Sequence, residues 1–165
     1  MVCRPLLLLS LALVCAAPSQ AQPDAELDAP ARTAAETAVQ ATIAADGVHV
    51  VHFWAAWCGN SMNELRAGLW RLIDEHPDVT FTFVAYRNQD DGAETLARFG
   101  LPERVTVLHH PRRDGTFLDL PVSWTPTTWV FNRGGKLAYA FNYGELSAPM
   151  LTQALADARD DWHHD

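Results

Sequence analysis

The sequence predicts an α/β domain with a mixed central sheet and helices on both faces. Three observations carry that expectation. Apolar periodicity alternates between helical and strand-like repeats in the order α-β-α-β-α-β, which calls for parallel strands joined by crossovers. Two strand-like runs then flank Arg133-Gly134-Gly135, a tight-turn signature that calls for antiparallel pairing. A capped amphipathic helix closes the chain, and a mixed sheet satisfies both pairing demands. At 165 residues and 48% hydrophobic content, the chain suits one ordinary domain with a real core.

The first 21 residues read as a signal peptide outside the fold. Arg4 supplies the positive start and Leu6 to Ala17 an apolar run too short to span a bilayer comfortably. Small residues at Ser19 and Ala21 place cleavage after Ala21. Ala12-Leu13-Val14 lacks the small residue expected before a lipidated Cys15, and an uncleaved anchor is the remaining alternative. Residues 22–31, rich in Pro, Asp and Ala, form a linker, residues 32–160 the domain, and 161–165 a polar, frayed tail.

Within the domain, Thr33-Ala34-Ala35-Glu36 fits a capping box, with Val39 and Ile43 at helical spacing and Asp46-Gly47 as the stop. Val48 to Ala55 has no clean polar face, so it is a strand buried on both sides and therefore central. A helix is expected from about Asn60 to Glu75, with Leu65, Leu69, Leu72 and Ile73 as its core stripe and Pro77 beyond its end. Val79 to Tyr86 is β-branched and aromatic, a second strand. Asp91 to Glu94 caps a short helix carrying Leu96 and Phe99 and stopping at Gly100; Val105 to Leu108 is a short strand, and His109 to Thr125 is mostly loop. Thr127 to Asn132 and Lys136 to Asn142 form the hairpin. Ser147, Pro149 and the Leu146–Leu151 staple start the last helix.

The chemistry centres on Cys58, where a strand-like run ends and a helical pattern begins. A thiol at a helix N-terminus favours its thiolate. Of the three cysteines, Cys3 and Cys15 leave with the signal peptide, so Cys58 is expected to be the sole thiol of the mature chain. Phe53-Trp54-Ala55-Ala56-Trp57-Cys58-Gly59 resembles the active-site entry of exported thioredoxin-like proteins, the disulfide reductases of the cytochrome c maturation type. Trp124-Thr125-Pro126-Thr127-Thr128-Trp129-Val130-Phe131, followed by Asn132-Arg133-Gly134-Gly135-Lys136, is similar to that family's cis-proline segment and hairpin. The resemblance covers roughly Val48 to Ala158 and implies a thioredoxin fold. It also implies a cis Pro126 beside the cysteine and Thr125 as the residue that meets substrate.

This chain departs from the family pattern at the second cysteine, where Ser61 stands, and at the preceding position, where Asn60 replaces the usual Pro. In a dithiol site the first thiolate attacks a substrate disulfide and the second thiol resolves the mixed disulfide. A serine hydroxyl is far too weak an acid to resolve, although it can hydrogen-bond the Cys58 thiolate and lower its pKa. Three functions are therefore open. Cys58 acts as a monothiol, exchanging with a cysteine-containing client and released by an external thiol reductant. Alternatively, the chain is a binding or assembly module that uses the cis-proline groove. In the third, Cys58 forms a disulfide-linked dimer or joins a metal site.

The candidate site residues are Cys58, Ser61 and Glu64 for chemistry, and Trp57, Thr125 and Pro126 for substrate binding. The resemblance makes Glu64 a modulator of active-site protonation; an exposed first-turn acid is the structural alternative. His52 reads as a satisfied sheet histidine, and Trp54 and Trp57 as walls of the site. The pairs His109-His110 and His163-His164, placed in loop and tail, lack metal-ligand spacing, so no metal and no cofactor are expected. Arg112-Arg113 reads as a solvated loop face. The net charge of −8 offers no basic stripe, which argues against nucleic acid as a partner.

Overall fold

In a computed structural model, residues 31–68, 71–111 and 114–163 are described. The signal peptide, its cleavage site and all but the last residue of the linker lie outside them, as do Leu69, Arg112, Arg113 and His164. Helix α1 (Ala34–Ile43) starts with a complete capping box, Thr33 and Glu36 each satisfying the other's backbone N–H. Strand β1 (Val48–Trp54) follows and is buried at every position. The next helical stretch is broken. Helix α2 (Gly59–Ala67) ends at Gly68, which is left-handed with φ 84°, and α3 (Arg71–Glu75) starts anew. The single helix expected over residues 60–75 is thus corrected: Gly68 closes α2 because it adopts the left-handed cap without a side-chain penalty.

Strand β2 (Val79–Tyr86) and helix α4 (Ala93–Arg98) lie close to their expected bounds. Strand β3 runs Thr106–His110, two residues further than expected. His109 and His110 therefore sit in a strand, not a loop. His110 is buried, stacked on Tyr86 at 5.2 Å with its Nδ1 3.1 Å from Thr33 Oγ1. Two short strands, β4 (Thr116–Phe117) and β5 (Leu120–Pro121), pair within the segment expected to be loop. Strands β6 (Thr127–Phe131) and β7 (Leu137–Asn142) form the hairpin, and α5 (Ala148–Arg159) starts at Ser147, whose side chain accepts from the Met150 N–H. The described part of the tail, residues 161–163, is tied to the domain. Trp162 stacks on Tyr139 at 4.7 Å, and Asn132 donates to the Asp161 carbonyl.

The main sheet has the order β3-β2-β1-β6-β7. β1 pairs parallel with β2 and antiparallel with β6, so β1 is central and the sheet is mixed. Side chains alternate across it. Val50 and Trp54 join Leu65, Ile73, Phe81, Phe83, Leu151 and Leu155 in one core. Val51 and Phe53 join Val39, Tyr86, Phe117, Trp129 and Phe131 in the other. Burying side chains of this size contributes about 1.5–3 kcal/mol each, which is why β1 tolerates no polar face. The C-terminal end of this doubly buried strand delivers Cys58.

Candidate active site

β1 ends at Trp54, and the Cys58 N–H closes a turn onto the Ala55 carbonyl at 3.0 Å. Cys58 is the N-cap of α2, extended at φ −90° and ψ 115°, and its carbonyl already accepts from Met62. The thiol therefore stands where the helix leaves its first N–H groups without helical partners. On the other side, the Thr125–Pro126 peptide is cis, and the Cys58 thiol donates to the Thr125 carbonyl at 3.1 Å. Pro126 is buried and Thr125 half-buried. The loop before Pro126 is tied down by Thr127, whose hydroxyl lies 2.9 Å from the Trp124 carbonyl.

Ser61 is fully buried on the first turn of α2, and its Oγ accepts from the Ala55 N–H at 3.2 Å. That bond fixes the oxygen and leaves the hydroxyl hydrogen for Cys58. Burial pushes the Cys58 thiol up, but hydrogen bonds from the Thr125 side chain, from the Ser61 hydroxyl, and from the Ser61 and Asn60 N–H groups outweigh it. The thiol titrates below its ordinary value. The arrangement stabilises a thiolate and offers no neighbouring sulphur: Cys58 is the one cysteine among the described residues, and it is free.

Glu64 lies one turn further along α2, and its side chain is only 12% exposed, which excludes the exposed first-turn acid. It shares the inward face of α2 with Ser61 and Leu65, three residues before it and one after. Burial pushes its carboxyl up to about 7. His52 comes from β1, where the register sets it opposite Thr128. Its Nδ1 lies 3.0 Å from Thr128 Oγ1, and burial pushes its pKa down to about 4. Its Nε2 approaches Glu64 Oε2 at 4.0 Å, and neither atom has a hydrogen bond among the described residues. Low polarity disfavours both charges, so near neutral pH the pair holds a neutral imidazole beside a carboxyl poised to titrate. No sequence signal joined these two residues, which lie on different elements.

Trp57 is 62% exposed and its indole N–H donates to the Arg87 carbonyl at 3.3 Å. Trp54, expected as a second wall of the site, is instead a core residue with no exposure. It belongs to the alternation of β1, which points it into the sheet's packed face. The opposite wall is Trp124, 71% exposed, a residue that sequence reasoning quoted without assigning it a role. Trp57, Cys58, Asn60, Arg87, Trp124 and Thr125 line a cleft of about 370 Å³.

No family model and no curated protein sequence matches the chain. Solved structures do. A thio-disulfide isomerase from Thermus thermophilus is 26% identical with a TM-score of 0.52, over 72% of this chain and 82% of that one. A secreted Mycobacterium tuberculosis disulfide oxidoreductase homologous to E. coli DsbE gives 20% identity and a TM-score of 0.55, over 70% and 84%. A secreted thiol-disulfide isomerase from Corynebacterium glutamicum gives 18% and 0.57, over 70% and 72%. With the mixed five-stranded sheet, these similarities show that the chain has the thioredoxin-like fold of thiol-disulfide oxidoreductases.

Proposed function

We propose that this chain is an exported thioredoxin-fold protein that uses Cys58 as a monothiol in thiol-disulfide exchange with client proteins. The observation that carries the reading is the seat of Cys58, an N-capping thiol facing the Thr125 carbonyl with donors from Ser61 and Asn60 that favour its thiolate. The structural neighbours described as thiol-disulfide isomerases and oxidoreductases support the reaction class.

The Cys58 thiolate attacks one sulphur of a client disulfide. A bond from Cys58 Sγ to that sulphur forms, the client S–S bond breaks, and the departing thiolate takes a proton from water. With Ser61 in place of a second thiol, release falls to an external thiol reductant or to a cysteine of the client itself. Glu64 takes up a proton when the Cys58 thiol ionises and returns one when the thiol is regenerated. Thr125 and the buried Pro126 shape the backbone against which the client lies. Export, with cleavage after Ala21, removes Cys3 and Cys15 and leaves no competing thiol in the chain.

The test is the rate of Cys58 alkylation against pH. The expected midpoint lies clearly below that of a free cysteine, about 8.5, and an unshifted midpoint overturns the nucleophile. The exposed Trp57 and Trp124 beside the cleft favour a second reading, a binding module whose groove holds clients without chemistry. Cys58→Ala separates the two. A client that binds the variant as tightly as the native chain supports the module, and loss of capture supports exchange.

A further inference from the structure

Three concavities share walls across the face that carries Cys58. Trp57 and Arg87 line both the first, of about 590 Å³, and the central cleft of about 370 Å³ that holds Cys58. Trp124 and Thr125 line both the central cleft and a third concavity of about 350 Å³, completed by Asn142, Tyr143 and Glu145. The two exposed tryptophans are thus ridges between neighbouring subsites, and a chain lying extended across the thiol would cross them.

The third concavity has its own chemistry. It presents two exposed aromatic side chains, Trp124 at 71% and Tyr143 at 44%, together with the Glu145 carboxylate and no cationic side chain. Glu145 is held in place there, its Oε2 accepting from the Asn142 N–H at 2.6 Å, which leaves Oε1 for a ligand. Aromatic faces beside a carboxylate attract a cation whose alkyl stem can lie along the rings. The net charge of −8 adds a long-range field of the same sense.

Resting on the reading of Cys58 as an exchange nucleophile, we propose that the concavity formed by Trp124, Tyr143 and Glu145 is a subsite for a lysine or arginine of the client, flanking the half-cystine that enters the central cleft. The client class is then an extended segment with a basic residue close to its disulfide. Trp124 and Glu145 are its specificity determinants.

The experiment uses short peptides carrying one cysteine as a mixed disulfide with a thiopyridyl group. Lys, Glu or Ala is scanned through the positions on either side. Attack by Cys58 releases the coloured thione, so the second-order rate is read directly. Lysine on one side is expected to react about 5- to 10-fold faster than alanine at low salt, and glutamate slower than either. The advantage should shrink as salt rises. Glu145→Gln and Trp124→Ala should each bring the lysine-to-alanine ratio towards one. The subsite is overturned by a ratio near one at every position, or by a ratio that both variants leave intact. Dithiodipyridine, which carries no side chain for the third concavity, separates the two levels. If Cys58 attacks it no faster than a free cysteine does, the exchange reading fails and the subsite with it. A reactive Cys58 with a flat lysine scan fails the subsite alone.

Discussion

Between about pH 4.5 and 6.5, His52 and Glu64 together bind one proton in the folded chain and one in the unfolded chain. Folded, the proton sits on Glu64, raised from 4.5 to about 7; unfolded, it sits on His52, which falls from 6.5 to about 4 on burial. Taken singly, the two residues act in opposite directions. Stability from His52 falls as pH drops from 6.5 towards 4, because the unfolded chain takes a proton that the buried ring refuses. Stability from Glu64 falls as pH rises from 4.5 towards 7, because the unfolded chain releases a proton that the buried carboxyl keeps. Their slopes cancel in the shared window. Glu64→Gln should therefore unmask a rise of roughly 3 kcal/mol from pH 4 to 6.5, and His52→Asn a comparable fall from 4.5 to 7. Urea denaturation of both variants across pH checks this, and variant profiles that run parallel to the native one would sink it. Ser61 belongs to the same scale. Ser61→Ala removes a donor from the thiolate and the acceptor of the Ala55 N–H, so the Cys58 alkylation midpoint should rise and stability should drop by about 1–2 kcal/mol.

At the scale of elements, α4 is joined to the strand that delivers Cys58 through a contact with no slack. Gly92 precedes α4 at φ 68°, and a Cβ there would come within 2.4 Å of the Trp54 ring. Trp54 has no exposure and cannot swing aside. Gly92→Ala is therefore expected to cost about 3 kcal/mol or more, well above the ~1 kcal/mol of a generic glycine replacement, as a lowered urea midpoint. A loss near ~1 kcal/mol would show that strand and helix yield to each other. The same scale explains α2. Its nine residues, Gly59–Ala67, end at a left-handed glycine, so Ser61, Glu64 and Leu65 lie within a short rod fixed directly to Cys58.

Across the whole molecule, the domain has the thioredoxin-like fold of thiol-disulfide oxidoreductases, and its described residues hold one cysteine, Cys58. Ser61, three residues after Cys58, is fully buried and hydrogen-bonded to the strand end. Ser61→Cys should then create a dithiol reductase, measurable as insulin reduction that the native chain lacks. Equal rates for the two proteins would mean that the missing resolver is not what limits turnover. The groove is a property of the same scale, since its walls come from the turn before α2, the end of β2, the loop before β6 and the turn after β7.

The order of the main-sheet strands, the Thr33–Glu36 capping box, the β6–β7 hairpin and the closing helix were legible in the sequence. Each depends on residues close together in the chain, where period, turn chemistry and capping leave their mark. Even there, Gly68 was passed over, because a lone glycine within an apolar repeat is also tolerated inside a helix. Tertiary structure alone decided the rest. His52 and Glu64 are neighbours because the fold brings one side chain of α2 to 4.0 Å from one of β1, and their opposed titrations come from burial. Trp54 is core and Trp124 is surface although each lies within four residues of the site, because one sits in a doubly covered strand and the other on a loop. Local pattern sets which element forms, but the exposure and protonation of a side chain follow from what the fold places against it.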